Sequence, residues 1–185
     1  PMNPMDSTGF TAQLAQFSSL EQLENINSTL ETQSTHYASN ENAQAVQFIG
    51  KQVTAVGNAL DLDGSGTATL NFDLQGDAAA TYIKIYDAAG AYVGDFEVGT
   101  LTAGEQQVSW DGTDQNGQAL PEGQYQFDVL AVDDNDVPVS ATTFSTGVVT
   151  GVSYQNGDAY LQTDSMLLPL SSVVRVDAVD AGAES

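Results

Sequence analysis

Apolar residues near the start of the chain recur every three or four positions, at Phe10, Leu14, Phe17, Leu20, Leu23, Ile26 and Leu30. That recurrence predicts an amphipathic helix with these seven side chains along one stripe. Residues 1–8 read as a Pro-punctuated entry, in which Asp6, Ser7 and Thr8 are each able to cap the helix. Ser18 with Glu21, and Ser19 with Gln22, stand in capping-box spacing. This fits either a break into two helices near position 18 or one continuous helix with the serines on its wet face. Residues 31–42 lose the apolar recurrence and read as a fraying end and a linker, and a short helix is expected around 41–49.

From Gly50 the period changes to two, the signature of strands. Strands are expected at 52–56, 67–74, 82–86, 92–98, 106–110, 123–133 and 137–144. One face of these carries Ala68, Leu70, Phe72 and Leu74, then Ile83 and Ile85, then Tyr125, Phe127, Val129 and Ala131. Turn chemistry separates them: Asp61 to Gly66, Asp87 to Gly90, Asn116-Gly117, Pro121 to Gly123 and Asp133 to Asp136. Short strands at this spacing indicate an immunoglobulin- or fibronectin-like sandwich over 66–144, with Trp110 in its core. Four further short strands, 147–154, 159–162, 166–168 and 172–176, are marginal by themselves. The orphan strand at 52–56 would complete a small barrel with them, making the sandwich an insertion. The expected class is therefore mainly β with an N-terminal helical arm. The arm spans 1–44, the discontinuous barrel 45–65 and 145–176, the sandwich 66–144, and a flexible tail 177–185.

Charge narrows the function. The 185 residues hold 25 acidic side chains against Lys51, Lys84 and Arg175, for a net charge of −22. Three scattered cations cannot form the basic cluster that nucleic acid requires, and an anionic membrane surface is disfavoured for the same reason. No apolar run approaches the 18 or so residues that span a bilayer. An acidic excess this large suits a salty environment. The absence of cysteine removes disulfides, thiol catalysis and thiolate metal sites, and it suits a protein that crosses a membrane unfolded. No signal peptide is visible. The opening Pro1-Met2-Asn3-Pro4 is not a typical native start, so an upstream piece is expected.

Candidate chemistry is sparse. Asp61-Leu62-Asp63-Gly64-Ser65-Gly66 imitates the start of a calcium loop, but Phe72 occupies the place of the bidentate glutamate and a strand follows instead of a helix. Asp111 to Gly117 also offers oxygens, as does the Asp133-Asp134-Asn135-Asp136 run. Hairpin loops held by side-chain turns are the simpler reading of both. His36, the single histidine, lies in a polar linker, away from any pocket that would make it a base or a zinc ligand. Acids are too numerous for their count to exclude paired-carboxylate hydrolysis, yet no aromatic cluster marks a sugar cleft and no Gly-rich phosphate loop precedes a helix. No catalytic residue, metal site or cofactor is expected. What remains is the apolar arm. A lone helix of this length is marginal in water, so it should order only against copies of itself, another protein or the β body. Phe10, Leu14, Phe17, Leu20, Leu23, Ile26 and Leu30 are the candidate partner-binding or oligomerisation residues.

The near-continuous stretch from Pro4 through Gly9-Phe10-Thr11-Ala12-Gln13-Leu14 to Leu23 resembles the N-terminal signature of the flagellar hook-capping family, the hook assembly or basal-body rod modification proteins. Further along, Ile85 to Gly90, Ala103-Gly104, Trp110-Asp111-Gly112-Thr113-Asp114, Asn116-Gly117 and Leu120 to Phe127 follow that family's Ig-like segment in order. Gly147 to Tyr154 and Leu168 to Val174 resemble its small Tudor-like portion. The resemblance covers about residues 1–176. It implies an Ig-like domain inserted into a Tudor-like barrel, and a scaffold instead of an enzyme. It also implies export unfolded through the flagellar export apparatus and a homo-oligomeric cap of five subunits at the distal end of the growing hook. There the cap would retain hook protein and let it fold and insert. The alternative from another class is a secreted adhesin or carbohydrate-binding module using the sandwich loops; a hydrolase is the third.

Overall fold

The computed structural model describes residues 14, 16–30, 32–33, 45–155 and 157–179. The chain divides into two compact units, Pro1–Ala43 and Gln44–Ser185. In the first, residues 16–30 form one uninterrupted helix, α1. Of the two readings left open at Ser18, the continuous helix is the one observed. The N-cap candidates Asp6, Ser7 and Thr8, with Phe10 and His36, lie outside the described residues.

The second unit opens with Ala45 and a single 3-10 turn, Val46–Phe48, which is all that the described residues contain of the helix expected at 41–49. Among the described residues thirteen strands follow: β1 (Lys51–Val56), β2 (Ala59–Leu62), β3 (Ala68–Leu74), β4 (Ala80–Asp87), β5 (Tyr92–Glu97), β6 (Gly104–Trp110), β7 (Gly123–Val132), β8 (Pro138–Val139), β9 (Ala141–Val148), β10 (Gly151–Gln155), β11 (Asp158–Gln162), β12 (Leu167–Pro169) and β13 (Val173–Ala178). They make three sheets. One runs β13-β1-β9-β3-β6, one β2-β7-β4-β5 with β8 also paired to β7, and the smallest β10-β11-β12.

Two hydrophobic cores result. The larger gathers Leu60, Leu62, Leu70, Phe72, Leu74, Ile83, Ile85, Trp110, Tyr125 and Phe127 between the two larger sheets. The period-two face read from the sequence is the face that is buried, with Val129 partly so. Within it Trp110 packs edge-on against Tyr125, ring centres 5.4 Å apart. The Tyr125 hydroxyl donates back to the Pro121 carbonyl at 2.8 Å, the tyrosine-corner contact of Ig-like sandwiches. The Trp110 indole N–H donates to the Thr113 carbonyl at 3.2 Å. The smaller core holds Val53, Ala55, Val149, Leu161, Met166 and Leu168. The orphan strand contributes to it: β1 pairs antiparallel with β9 on one side and β13 on the other.

The structure departs from the sequence reading in four places, the first being the strand expected at 137–144, which is divided into β8 on β7 and β9 on β3 and β1. Asp61 and Leu62, expected in a turn, belong with Ala59 and Leu60 to β2, which pairs Leu60 with Tyr125 and buries Leu60 and Leu62 in the larger core instead of the smaller one. The alternation there is only two residues deep between turn-forming neighbours, too short to read as a strand. The strand expected at 147–154 is divided: β9 runs on through Gly147 to Val148, and β10 starts at Gly151. Gly147 breaks nothing because its role is close approach: a Cβ there would lie 2.8 Å from Thr163 Cγ2. Finally, Asp177 and Ala178, expected in the loose tail, belong to β13 and pair with Gln52 and Lys51. Residues 180–185 lie outside the described residues.

One turn glycine is both conformationally and sterically required. Gly112 has φ +64°, and a Cβ on it would meet the Gly66 carbonyl oxygen at 2.7 Å and Leu62 Cδ1 at 2.8 Å. Gly112→Ala should therefore lower the unfolding free energy by about 2–4 kcal/mol. Denaturant titration of Trp110 fluorescence measures this; a loss smaller than about 0.5 kcal/mol would refute the packing described.

Candidate assembly surface

The α1 side chains expected to form the partner-binding surface are exposed. Leu14, Phe17, Leu20, Leu23, Ile26 and Leu30 range from 51% exposure at Ile26 to 71% at Phe17. Helical geometry also changes their arrangement. At roughly 100° per residue, each spacing of three sets the next side chain back by about 60°. From Leu14 to Ile26 all the spacings are three, so the set-backs accumulate instead of cancelling as alternating threes and fours would. Leu14 and Phe17 thus project to one side. Leu23, Ile26 and Leu30 project to roughly the opposite side, and Leu20 lies between. The single stripe expected from the sequence is a band that winds around about two-thirds of the circumference.

The remainder of the helix is polar but nearly uncharged. Glu21 and Glu24 are the ionisable residues between 16 and 30, and no charge occurs from Ser7 to Leu20. Thr29 and Thr32 turn their hydroxyls onto the Asn25 and Ser28 carbonyls, at 2.7 and 2.8 Å. These side chains satisfy themselves on their own helix, so they add no outward polar specificity.

On the β unit, the acidic loops are structural. Three share one geometry. At Asp87, Asp114 and Asp133 the carboxylate Oδ1 accepts the backbone N–H groups two and four residues on, at 2.8–2.9 Å. The main-chain carbonyl of each accepts the N–H three residues on. The third residue after each is left-handed: Gly90 at φ +81°, Gly117 at +74° and Asp136 at +59°. Asp63 makes the related turn, accepting the Ser65 N–H at 2.8 Å. In the loop that imitates a calcium site, Asp63 Oδ1 is thus engaged by a backbone N–H group. Among the described residues no group of three or more His, Cys, Asp or Glu is placed to hold a metal ion, and no helix is long and apolar enough to cross a membrane.

A groove of about 570 Å³ lies across the β13-β1-β9-β3-β6 sheet, lined by Thr54, Asn71, Gln107, Phe144, Val174 and Arg175. Arg175 on β13 reaches Glu105 on β6 at 3.5 Å and Asp177 at 3.2 Å. The two edge strands of that sheet therefore curl towards one another. Nothing in the sequence flags this contact, which joins residues 70 apart. The groove offers amides, hydroxyls and one exposed ion pair, with no nucleophile beside a base.

Comparison with known proteins bears on the helix and on the larger core. The family model "Flagellar hook capping protein - N-terminal region" matches residues 1–32, and "FlgD Ig-like domain" matches residues 57–135, a span that includes β2. The basal-body rod modification protein FlgD of Escherichia coli is 33% identical over 138 residues, covering 71% of this chain and 60% of that protein. The chain thus spans about 60% of the length of this curated relative. The crystal structure of FlgD from Xanthomonas campestris, described as giving insights into hook capping essential for flagellar assembly, superposes with a TM-score of 0.61 at 26% identity. It covers 72% of this chain and 99% of that one. FlgD from P. aeruginosa shares the fold, with a TM-score of 0.59 at 23% identity over 70% of this chain and 97% of that one. These matches give the adhesin alternative no support.

The loop geometry has a pH signature. Backbone N–H groups from Gln118 and Asn116 hold the Asp114 carboxyl below the usual carboxylate range, and those from Val137 and Asn135 do the same for Asp133. A depressed folded-state value stabilises the fold above the unfolded value of about 3.9 and stops doing so as pH falls through the folded value. The doubly substituted Asp114→Asn, Asp133→Asn chain should be less stable than the parent at pH 7, with the difference vanishing below that window. Parallel denaturant titrations from pH 7 to pH 2 test this, and a difference independent of pH would contradict it.

Proposed function

The chain belongs to the flagellar hook-capping family, and from that premise we propose that it is a hook cap: a scaffold at the distal end of the growing hook that promotes polymerisation of hook protein. The observation that carries this reading is the family match over residues 1–32, the stretch that presents Leu14, Phe17, Leu20, Leu23, Ile26 and Leu30 to solvent. Half-exposed large apolar side chains on a charge-poor helix are a surface that another protein covers.

In this reading Phe10 and those six residues contact neighbouring cap subunits or hook protein, and five copies form the cap. The chain reaches its place outside the cell through the flagellar export apparatus, and a sequence free of cysteine passes unfolded without disulfides to reduce. The arm is residues 1–44. Strand pairing supports a sandwich that begins with β2 and ends within β9, inserted into a barrel made by β1 and β10–β13. No catalysis and no cofactor are needed: a cap that holds arriving and settled hook subunits by different contacts shifts them between states by differential affinity alone.

The test is genetic and morphological. In cells lacking their own hook-capping protein, the gene product containing this chain should restore hooks visible by electron microscopy. The Leu14→Asp, Leu23→Asp version should reduce hook number at least tenfold. Hooks of normal number and length with the double variant would remove the arm as the working surface.

A further inference from the structure

Sheet edges leave backbone groups without partners, and this chain guards its edges unevenly. The two larger sheets end at β13, β6, β2 and β5, and three of these strands are blunted. The registers of β13 and β5 each shift partway along. Each also carries two charges, Arg175 and Asp177 on β13, Asp95 and Glu97 on β5. β2 is four residues long. Irregular register, charge and short length all hinder the addition of a further strand. β6 is protected by none of these to the same degree. Its seven residues pair with β3 in unbroken register from Gly104 to Trp110, it holds no proline, and Glu105 is its one charge. Among the described residues it pairs with β3 alone.

A cavity adjoins that edge. About 270 Å³ opens between β6 and β5, the end strands of the two sheets that enclose the larger core, and the apolar side chains of Ile85, Phe96 and Trp110 line it. Its other side chains include Asp95, Asp111 and Asp114 and no cation. Val108 shares the inner face of β6 with Trp110 and is partly buried, while Glu105, Gln107 and Ser109 are exposed on the outer face. A strand beside β6 would therefore turn alternate side chains inward, and those opposite Val108 and Trp110 would lie nearest the cavity.

We propose that β6 is a docking edge: an extended segment of another protein, apolar at alternate positions and carrying Lys or Arg, adds beside it as an antiparallel strand and sets an apolar side chain into the cavity. This edge belongs wholly to the β unit and owes nothing to the arm. The alternation of β6 itself asks for the same alternation in the guest. The carboxylates around the cavity ask for positive charge. A second copy supplies none: Lys51, Lys84 and Arg175 are its basic residues, no seven-residue stretch holds two of them, and its net charge of −22 repels.

The test titrates the whole chain with a fluorescein-labelled peptide as long as β6, Lys-Val-Thr-Val-Thr-Val-Lys, followed by polarisation at physiological salt. Saturable, submillimolar binding is expected, with the same peptide ended by glutamates at least about tenfold weaker. An added strand hydrogen-bonds along one edge, through alternate residues. Of two N-methylated peptides, one blocked at the valines and one at the threonines, one should therefore lose about tenfold or more and the other bind as before. Ser109→Lys, an exposed change on the edge, should weaken the lysine peptide severalfold, with an unfolding midpoint equal to the parent's showing that the fold is intact. Amide spectra should place the bound peptide on residues 104–110. A lysine peptide that does not bind, equal binding by both methylated peptides or by the glutamate peptide, or perturbation elsewhere would overturn the proposal. Protection of the β6 amides on concentrating the chain alone would make a second copy the occupant and overturn it equally.

Discussion

Strand β9 is the constraint on which the β unit depends. Its residues 141–144 pair with β3 of the larger core, and its residues 144–148 pair with β1 of the smaller one. Phe144 is opposite Asn71 on one edge and Val56 on the other. A single run of backbone hydrogen bonds therefore fixes the register of both cores. A one-residue slip would turn Ser145, the buried residue of β9, to the opposite face. The packing around it is tight: Ser145 is buried, and a Cβ on Gly57 would touch its Oγ at 3.0 Å. Thr163 crowds Gly147 from the smaller core. Two cores sharing a strand cannot hinge freely about it, which suits a body that acts as a plate.

Much of this was legible in the sequence, because burial on one face of a strand leaves a period-two trace. The buried faces of β3, β4 and β7 follow from that trace, and the place of Trp110 in the core from the sandwich that the strand spacing indicates. The strand at 52–56 was legible from its own residues; in space it pairs with β9 and β13, while β10–β12 pair among themselves. What escaped was either too short or non-local. β2 offers only Leu60 and Leu62 as alternation. β13 extends to Ala178 because β1 pairs with it there, not because of its own pattern. Gly147 looks like a breaker in sequence and is a packing residue in space. The Arg175–Glu105 pair depends on sheet curl that no local pattern encodes.

The arm was legible as a helix and as an apolar surface, but not in its shape. Spacings of three and four are both helical neighbours, and a list of such spacings reads as one stripe until the angles are summed. Summed, they place Leu14 and Ile26 about 120° apart, and the two groups of side chains on nearly opposite sides. The acidic loops show the reverse case. Asp63, Asp114 and Asp133 look like ligands in sequence, while in space one carboxylate oxygen of each is engaged by backbone N–H groups.

Hydrogen exchange of the parent chain, followed amide by amide across a concentration series, tests the central claim most directly. That claim is a self-sufficient β unit carrying a helix that orders against neighbours. The account expects the amides of β9 to be strongly protected at every concentration, and those of residues 16–30 to exchange rapidly in dilute solution and slow as copies assemble. Protection of residues 16–30 in the dilute monomer, or exchange of the two halves of β9 at unrelated rates, would contradict it.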